Sequence, residues 1–272
     1  MPSQPRPAAA IVLLRKGSND TLETFMVRRH IMSDFVPDVY VFPGGSVKPS
    51  DRDAETTPNL CIPSESAERT ETALGSGLRV AAIRELFEEA GVLIAEQGGH
   101  VLSVSAKETE KIAGYRERLQ KNETTLAEIA QQERLTLATQ RLTLFAHWIT
   151  PEPMPKRFDT FFFLAEAPME QQATHDQLET SAGTWIQPGE ALARSEQGDF
   201  PLVFATVHQL RDLAKFTSIA DAEQQLRGKA IPVITPRATT RSGQIEIFLP
   251  GEPGYDELGE GQEPSHEGGK LQ

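Results

Sequence analysis

The most informative segment of this chain is Arg84-Glu85-Leu86-Phe87-Glu88-Glu89-Ala90-Gly91-Val92. At about 100° per residue, a helix places Glu85, Glu88 and Glu89 within an arc of about 100°. Apolar side chains fall on the opposite side, which predicts one face in a core and an acidic face turned outward. Gly91 is typical of the residue that ends a helix. We therefore predict a helix over roughly residues 77–90.

The three carboxylates of this helix repel one another, and a cation would relieve the repulsion. Arg84 lies four residues before Glu88, so the two can pair and fix a carboxylate rotamer. The alternative is a solvated acidic helix face, which is what most Glu clusters are. A Gly-rich turn, Phe42-Pro43-Gly44-Gly45, lies upstream and can bring backbone groups to the same place. Carboxylates, a hard cation and a backbone turn suggest metal-assisted chemistry on phosphates.

The segment resembles the second half of the Nudix hydrolase signature, G-x5-E-x7-R-E-U-x-E-E-x-G-U, in which U is a bulky apolar residue. The first half begins at Gly45, but its Glu is replaced by Asp51 when counted forward, or by Ser76 when counted back. Between Asp51 and Arg84 there are 32 residues, where the family pattern has seven. We predict an insertion over roughly residues 47–75, either a surface linker or a segment that reaches over the site. The lost Glu puts one structural contact of the motif in doubt.

The resemblance implies an α/β (α+β) Nudix fold, with a mixed β-sheet sandwiched between helices. We predict one domain over residues 7–250 and a disordered acidic tail over 251–272. Residues 106–140 are predicted to form two added helices, which serve as a flap, as a dimer contact or only in packing. Further helices are predicted from about residue 188 and over 204–215. The predicted strands cover residues 8–14, 22–29, 39–42, 92–95, 142–150, 159–164, 179–186, 231–234 and 244–249, the last two as a pair.

Diphosphates resist hydrolysis because their negative oxygens repel a nucleophile. Mg²⁺ or Mn²⁺ neutralises that charge and lowers the pKa of bound water. The resemblance implies that Glu85, Glu88 and Glu89 bind the metal, joined by the backbone carbonyl of Gly44. Glu85 is either a ligand or the general base. We expect Arg84 to act in catalysis by orienting Glu88 or Glu89 and not by touching the substrate.

Two further groups of polar residues lie downstream of the motif. Lys156 and Arg157 are candidates for binding a substrate phosphate, with Asp159 orienting the guanidinium of Arg157. The alternative is an ion pair at the end of a strand. Glu179 is a candidate for a further metal ligand or base, because many relatives use a downstream acidic residue; otherwise it is a solvated loop residue.

Composition narrows the function classes. The formal net charge of −12 with no basic stripe argues against a nucleic-acid duplex as partner. No apolar run approaches the roughly 20 residues of a membrane span, so no membrane is expected. The single cysteine, Cys61, excludes an internal disulfide and fits a reducing, cytoplasmic compartment. The isolated histidines are expected to be structural.

The substrate is narrowed by the run that ends in the Pro-Gly-Gly turn. This run, residues 35–45, and the split signature are similar to the peroxisomal acyl-CoA diphosphatase branch and its bacterial relatives. An Arg and a Gly of the known CoA signature are replaced by Asp34 and Asp38. CoA, acyl-CoA, NADH and ADP-ribose type nucleoside diphosphate conjugates therefore stay open. The rival hypothesis is a catalytically weak Nudix-fold module that binds a nucleotide or a protein; isoprenoid diphosphate isomerisation is a third.

Overall fold

The computed structural model describes residues 3–33, 36–63, 76–105, 108–152, 154–176, 178–241 and 244–258. The strands are β1 (Arg6–Lys16), β2 (Leu22–Arg29), β3 (Tyr40–Val41), β4 (Gly44–Ser46), β5 (Ala95–Gln97), β6 (His100–Val101), β7 (Leu135–Leu137), β8 (Thr143–Ile149), β9 (Phe158–Glu166), β10 (Thr180–Ile186), β11 (Val233–Ile234), β12 (Arg237–Arg241) and β13 (Gln244–Phe248). The helices are α1 (Pro49–Thr56), α2 (Leu78–Ala90), α3 (Thr109–Gln120), α4 (Leu126–Glu133), α5 (Pro188–Glu196), α6 (Phe204–Leu213) and α7 (Ile219–Leu226).

The central sheet has the strand order β10-β2-β1-β9-β8-β11, with β3 paired to β2 and β4 paired to β1. Strand β1 runs parallel to β9, and β11 runs parallel to β8, whereas the other pairs are antiparallel. The sheet is therefore mixed, which confirms the predicted fold class.

Helices cover both faces of this sheet, and strand β1 shows how. Successive side chains of a strand point to opposite faces. Ile11 and Leu13 pack in the cluster that contains the apolar side chains of α2. Val12 and Leu14 pack in a second cluster, which contains side chains of α5, α6 and α7. The run of residues 8–14 is apolar on both faces because both faces are buried.

The motif helix α2 is buried along its whole length. Gly77 precedes it with φ 75° and Gly91 follows it with φ 70°, a left-handed conformation that glycine adopts at low cost. Leu86 and Phe87 are fully buried against the sheet. The predicted helix boundaries are confirmed, but the prediction that its acidic side faces outward is wrong, as the site below explains.

The Pro-Gly-Gly turn reaches α2 because β1 and β2 diverge. These two strands pair only over residues 14–16 and 22–24, and the chain segment of β3 and β4 enters where they separate. Gly44 then pairs with Ala10 on β1. A Cβ atom on Gly44 would lie 2.5 Å from the Cβ of Ala10, so only glycine fits at this position. The turn is thereby held beside α2.

The two predicted insertions have different outcomes. A linker is the wrong description of residues 49–56, which form α1 and bury Ala54. Residues 64–75 lie outside the described part of the chain. The two helices expected within 106–140 are present as α3 and α4, and the same region adds β7, which pairs with β5. Asp34 and residues 259–272 also lie outside the described part.

Several smaller expectations differ from the structure. Residues 92–94 are not a strand; β5 begins at Ala95. The predicted final pair is wrong, because β11 pairs with β8 while β13 pairs with β12. Helix α7 was not predicted. Residues 251–258, placed in the expected disordered tail, form turns and a short 3-10 helix, and Tyr255 donates its hydroxyl to the carbonyl of Thr235. Within the described ranges, none of the helices is long and apolar enough to span a bilayer.

Candidate active site

The acidic trio of α2, formed by Glu85, Glu88 and Glu89, lies beneath other parts of the protein. These residues are only 8–9% exposed. The glycine turn of β4 contacts the trio from one side, and Lys48 and α3 contact Glu88 from another. The acidic face therefore differs from an ordinary solvated helix face, and its charges must be balanced inside the protein.

Arg84 provides part of that balance from a position that is 1% exposed. Its Nε and Nη2 donate to the two carboxylate oxygens of Asp51 at 2.8 and 2.9 Å. Its Nη1 donates to Glu85 Oε1 and Glu88 Oε2, both at 2.8 Å, and Nη2 also donates to the carbonyl of Ser46 at 2.9 Å. These contacts use the five N–H donors of a guanidinium. Burial lowers the pKa of Arg84, but the bonds to Asp51, Glu85 and Glu88 outweigh it and raise the pKa.

Asp51 resolves the ambiguity in the split motif. It lies where the forward count from Gly45 ends, at the third position of α1, and is 1% exposed. Its carboxylate also accepts the backbone N–H of Lys48 at 2.7 Å. The contact that the missing Glu placed in doubt is therefore present, with an aspartate supplying it, whereas Ser76 is not required for it.

The glycine turn and the trio lie together, as the sequence predicted. The backbone N–H of Gly44 donates to Glu89 Oε2 at 3.1 Å. A Cβ atom on Gly45 would lie 2.5 Å from Glu85 Oε1, so the absence of a side chain there makes room for that carboxylate. The prediction named the carbonyl of Gly44, and the contact that the structure shows is made by its amide.

Burial and mutual repulsion disfavour the charged forms of the trio. Burial raises the pKa of Glu85 to about 7, against a reference of 4.5, and the neighbouring Glu88 adds to the rise while Arg84 opposes it. Burial raises the pKa of Glu88, although Arg84 and Lys48 oppose the rise. Burial, followed by repulsion from Glu85, raises the pKa of Glu89 well above its usual range. Ionising all three carboxylates therefore costs free energy that Arg84 and Lys48 only partly recover.

A hard divalent cation suits this donor set. Mg²⁺ prefers carboxylate, carbonyl and water oxygens, and the trio offers carboxylates on one rigid helix. Across the described ranges, no three Asp, Glu, His or Cys side chains already surround one ion-sized point. Glu85 and Glu88 are instead directed to Arg84, and Glu89 to Gly44. The residues fit the ion by chemistry and charge, and binding it requires their carboxylates to turn toward a shared centre.

Glu179 lies close enough to Glu89 to raise its pKa electrostatically. It is exposed and immediately precedes β10, and its backbone carbonyl accepts the N–H of His30. Asp176 orders this loop, since its carboxylate accepts the backbone N–H groups of Leu178, Glu179 and Thr180. Glu179 therefore lies within electrostatic range of Glu89, and its role as a ligand or base stays a prediction.

The three residues predicted to bind a substrate phosphate have other neighbours. Arg157 is 9% exposed, and its guanidinium donates to the carbonyls of Thr150 and Ser3, each at 3.0 Å. Asp159 pairs with His147, with 2.5 Å between Oδ1 and Nε2, so it does not serve to orient Arg157. Lys156 is exposed in the turn before β9. The predicted Arg157–Asp159 unit is therefore wrong, and the guanidinium closes a strand end by binding backbone.

Sequence reasoning missed several residues that contact the site. Lys48 Nζ lies 3.4 Å from Glu88 Oε1 and 3.3 Å from Asn122 Oδ1. The sequence signal for Lys48 was its position three residues after Gly45, close to the glycine turn. Arg116 and Gln120 of α3 bind the backbone carbonyl of Glu88. Nothing in the local sequence points to them, because their role depends on how α3 packs on α2.

Comparison with known proteins identifies the family. The family model described as the NUDT19 Nudix domain matches residues 62–213, which is more than half of the chain. The chain belongs to this family of Nudix hydrolases. The matched range includes the carboxylate helix α2 and excludes the glycine turn and Asp51, which the structure alone joins to it. The predictions of a Nudix relationship and of a hydrolase are confirmed.

Relatives from animals and a bacterium are consistent with this assignment. Acyl-coenzyme A diphosphatase NUDT19 of Xenopus laevis is 24% identical, over 89% of this chain and 74% of its own. Putative nudix hydrolase 7 of Caenorhabditis elegans is 28% identical, over 95% of this chain and 77% of its own. The crystal structure of a Nudix hydrolase from Alicyclobacillus acidocaldarius superposes with a TM-score of 0.65 at 26% identity, covering 82% of this chain and 97% of that one.

Proposed function

We propose that this hydrolase uses Mg²⁺ or Mn²⁺ to cleave the diphosphate linkage of a nucleoside diphosphate conjugate. The observation that carries the proposal is the buried trio of Glu85, Glu88 and Glu89 against the Gly44-Gly45 turn. Burying three carboxylates on one helix is costly unless a cation offsets their repulsion. Arg84 and Lys48 offset only part of the cost of burying these charges, since the pKa values of all three carboxylates remain raised.

Each residue of the site then has a defined task. Glu85, Glu88 and Glu89 would hold the cation, which when bound neutralises the diphosphate and acidifies a coordinated water. Arg84, itself fixed by Asp51, pairs with Glu85 and Glu88 and partly neutralises their charge while no metal is bound. The amide of Gly44 orients Glu89.

Glu179 is the better of two candidates for the general base. Glu85 already accepts a bond from Arg84, whereas Glu179 is exposed and lies within electrostatic range of Glu89. A base must reach the proton that it removes, either directly or through one water. Substituting Glu179 by Gln is expected to lower kcat on the order of 10²-fold or more, because general-base catalysis contributes about that much. Unchanged metal affinity in this variant would separate the role of base from that of a ligand.

The surroundings of Glu179 favour a conjugate with an apolar arm, such as an acyl-CoA. Ile31, Met32 and Leu178 are 66%, 80% and 64% exposed, which is unusual for large apolar residues. The backbone bond from His30 to Glu179 continues the pairing of β2 with β10. Ile31 therefore follows the end of β2 where Leu178 precedes the start of β10. We call these three residues the apolar rim. An acyl chain leaving the diphosphate site past Glu179 would cover this rim.

A substrate panel tests the proposal. CoA, acyl-CoA esters of increasing chain length, NADH and ADP-ribose are incubated with the protein in Mg²⁺, in Mn²⁺ and in excess EDTA, and products are identified by mass spectrometry. We expect phosphate-containing fragments from cleavage within the diphosphate, and none in EDTA. Glu88→Gln and Glu89→Gln should each abolish turnover. Full turnover by both variants would refute the proposed metal site.

The apolar rim is tested with the same assay. Met32→Ser is expected to raise KM for long-chain acyl-CoA and to leave KM for free CoA unchanged, because only the acyl ester reaches the rim. Ile245→Ser is the matched control, since Ile245 is 47% exposed on the β12–β13 hairpin, which follows the strand at the opposite sheet edge. Equal effects on both substrates, or equal effects of both variants, would contradict the acyl assignment.

The catalytically weak binding module remains the alternative. The completed Asp51–Arg84 contact argues against it, because the motif change that motivated it has not removed the interaction. Tight binding of a panel member in Mg²⁺ without turnover would favour it. The cytoplasmic location, the possible homodimer and the single domain over residues 7–250 stay predictions.

A further inference from the structure

Helix α3 caps the C-terminal end of the carboxylate helix α2. The last carbonyls of a helix have no partner within it and must be satisfied elsewhere. The carbonyl of Glu88 accepts two bonds from α3, one from Arg116 Nε at 2.9 Å and one from Gln120 Nε2 at 2.7 Å. The carbonyl of Ala90 accepts the backbone N–H of Thr174 at 2.8 Å. Two segments that are distant in sequence therefore meet at the last turn of α2, at Glu88 and Ala90.

The same two side chains of α3 also form hydrogen bonds to the segment that precedes Glu179. Arg116 Nη2 donates to the carbonyl of Thr174 at 2.9 Å, and its Nη1 lies 3.3 Å from the hydroxyl of that residue. Gln120 Nε2 also lies 3.4 Å from Asp176 Oδ2. Since Asp176 binds the N–H of Glu179, hydrogen bonds link Glu88, α3 and Glu179.

Burying the charged guanidinium of Arg116 costs free energy. Burial lowers the pKa of this guanidinium, and nearby Asp176 and Glu89 oppose the decrease. Packing of α3 does not need the charge, since Tyr115 and Leu119 already bury the apolar side of the helix. A Cβ atom on Gly91 would lie 3.0 Å from Arg116 Nη1, so the glycine that ends α2 also makes room for the guanidinium.

We propose that Arg116 and Gln120 are positioning residues of the metal site. They hold the last turn of α2 in one arrangement with residues 174–176 and 178–179, so that Glu88 and Glu89 can face the same cation with the general base Glu179 near them. This inference rests on the proposed metal-dependent function. Residues that orient metal ligands from behind typically change metal affinity about 10- to 100-fold when removed.

Mn²⁺ binding to the 272-residue chain, measured by isothermal titration calorimetry without substrate, tests the inference. Arg116→Met and Gln120→Met keep most of the side-chain volume and remove the bonds to the Glu88 carbonyl. Each is expected to raise the Kd for Mn²⁺ about tenfold. Arg118→Met is the matched control, because Arg118 lies on the same helix with an exposed side chain, and its Kd should match the wild type. Arg116→Lys should recover little, because a single ammonium group does not reproduce the guanidinium fork.

Urea midpoints recorded in EDTA show whether each variant is folded, and Gln120→Met serves if Arg116→Met unfolds. A role confined to stability would lower the midpoint and leave the Kd of the folded protein unchanged, which would overturn the inference. Wild-type affinity in both variants would overturn it as well. Failure of the wild-type protein itself to bind Mn²⁺ would instead refute the proposed function. A raised Kd in both variants with an unchanged control supports the positioning role.

Discussion

Replacing Glu85 by Gln is expected to stabilise the metal-free protein while impairing its metal site. Burial raises the pKa of Glu85 to about 7 in the folded protein, against 4.5 for an ordinary Glu. The unfolded chain therefore releases this proton at lower pH than the folded protein does. The contribution of Glu85 to the free energy of unfolding is therefore fully present below about pH 4.5 and is lost as the pH rises through about 7.

The size of the effect follows from that difference in pKa. Each unit corresponds to about 1.4 kcal/mol, so the wild-type protein loses about 3 kcal/mol through this one group by pH 8. In a chain of this size, that is a decrease in Tm of roughly 6–12 °C. Gln cannot ionise, so Glu85→Gln should lack this part of the decrease.

Urea unfolding in EDTA at pH 5, 6.5 and 8 measures the difference. Glu117→Gln is the control, since it makes the same change on an exposed carboxylate of α3 that pairs with Lys121. We expect Glu85→Gln to exceed the wild type increasingly toward pH 8, and Glu117→Gln not to. In Mn²⁺ the wild type should become the more stable of the two proteins, because the ion stabilises the folded protein that binds it better. An equal loss of stability in the wild type and Glu85→Gln would refute the reasoning.

Three further predictions concern Asp51, Gly45 and Cys61. Asp51→Asn removes the carboxylate that binds the buried Arg84 guanidinium through two bonds and should cost about 3–5 kcal/mol in urea unfolding; a loss below about 1 kcal/mol would contradict the assigned contact. Gly45→Ala should displace Glu85 and weaken Mn²⁺ binding in calorimetry, whereas Gly189→Ala, where a Cβ meets nothing within 4 Å, should not. Burial raises the pKa of Cys61 to about 12, so native protein at pH 8 should react with a disulfide reagent on the order of 10³-fold more slowly than urea-unfolded protein.

Much of the fold was predictable because its signals are local. The apolar run of residues 8–14 indicates a strand buried on both faces, and the spacing of Glu85, Glu88 and Glu89 indicates one helix face. Gly91 marks the helix end through its positive φ. These features depend on residues a few positions apart, which a single sequence displays.

The environment of the trio was not predictable, because it depends on contacts between distant segments. The outward-facing acidic surface expected from helical periodicity is covered by α3 and by the glycine turn. Arg157 and Asp159 looked like a charged pair because they are close in sequence. In the structure, their partners are backbone carbonyls and His147. Similarly, counting alone could not choose between Asp51 and Ser76, whereas the guanidinium of Arg84 identifies Asp51 directly.

The bidentate pair between Asp51 and Arg84 has a consequence for how such enzymes are recognised. It closes the motif across 32 intervening residues, so the spatial pattern survives where the linear one is interrupted. A text pattern with fixed gaps would discard this chain. A three-dimensional template built from one glycine amide, one guanidinium and four carboxylates would retrieve it, together with other proteins whose signature has been divided by added sequence.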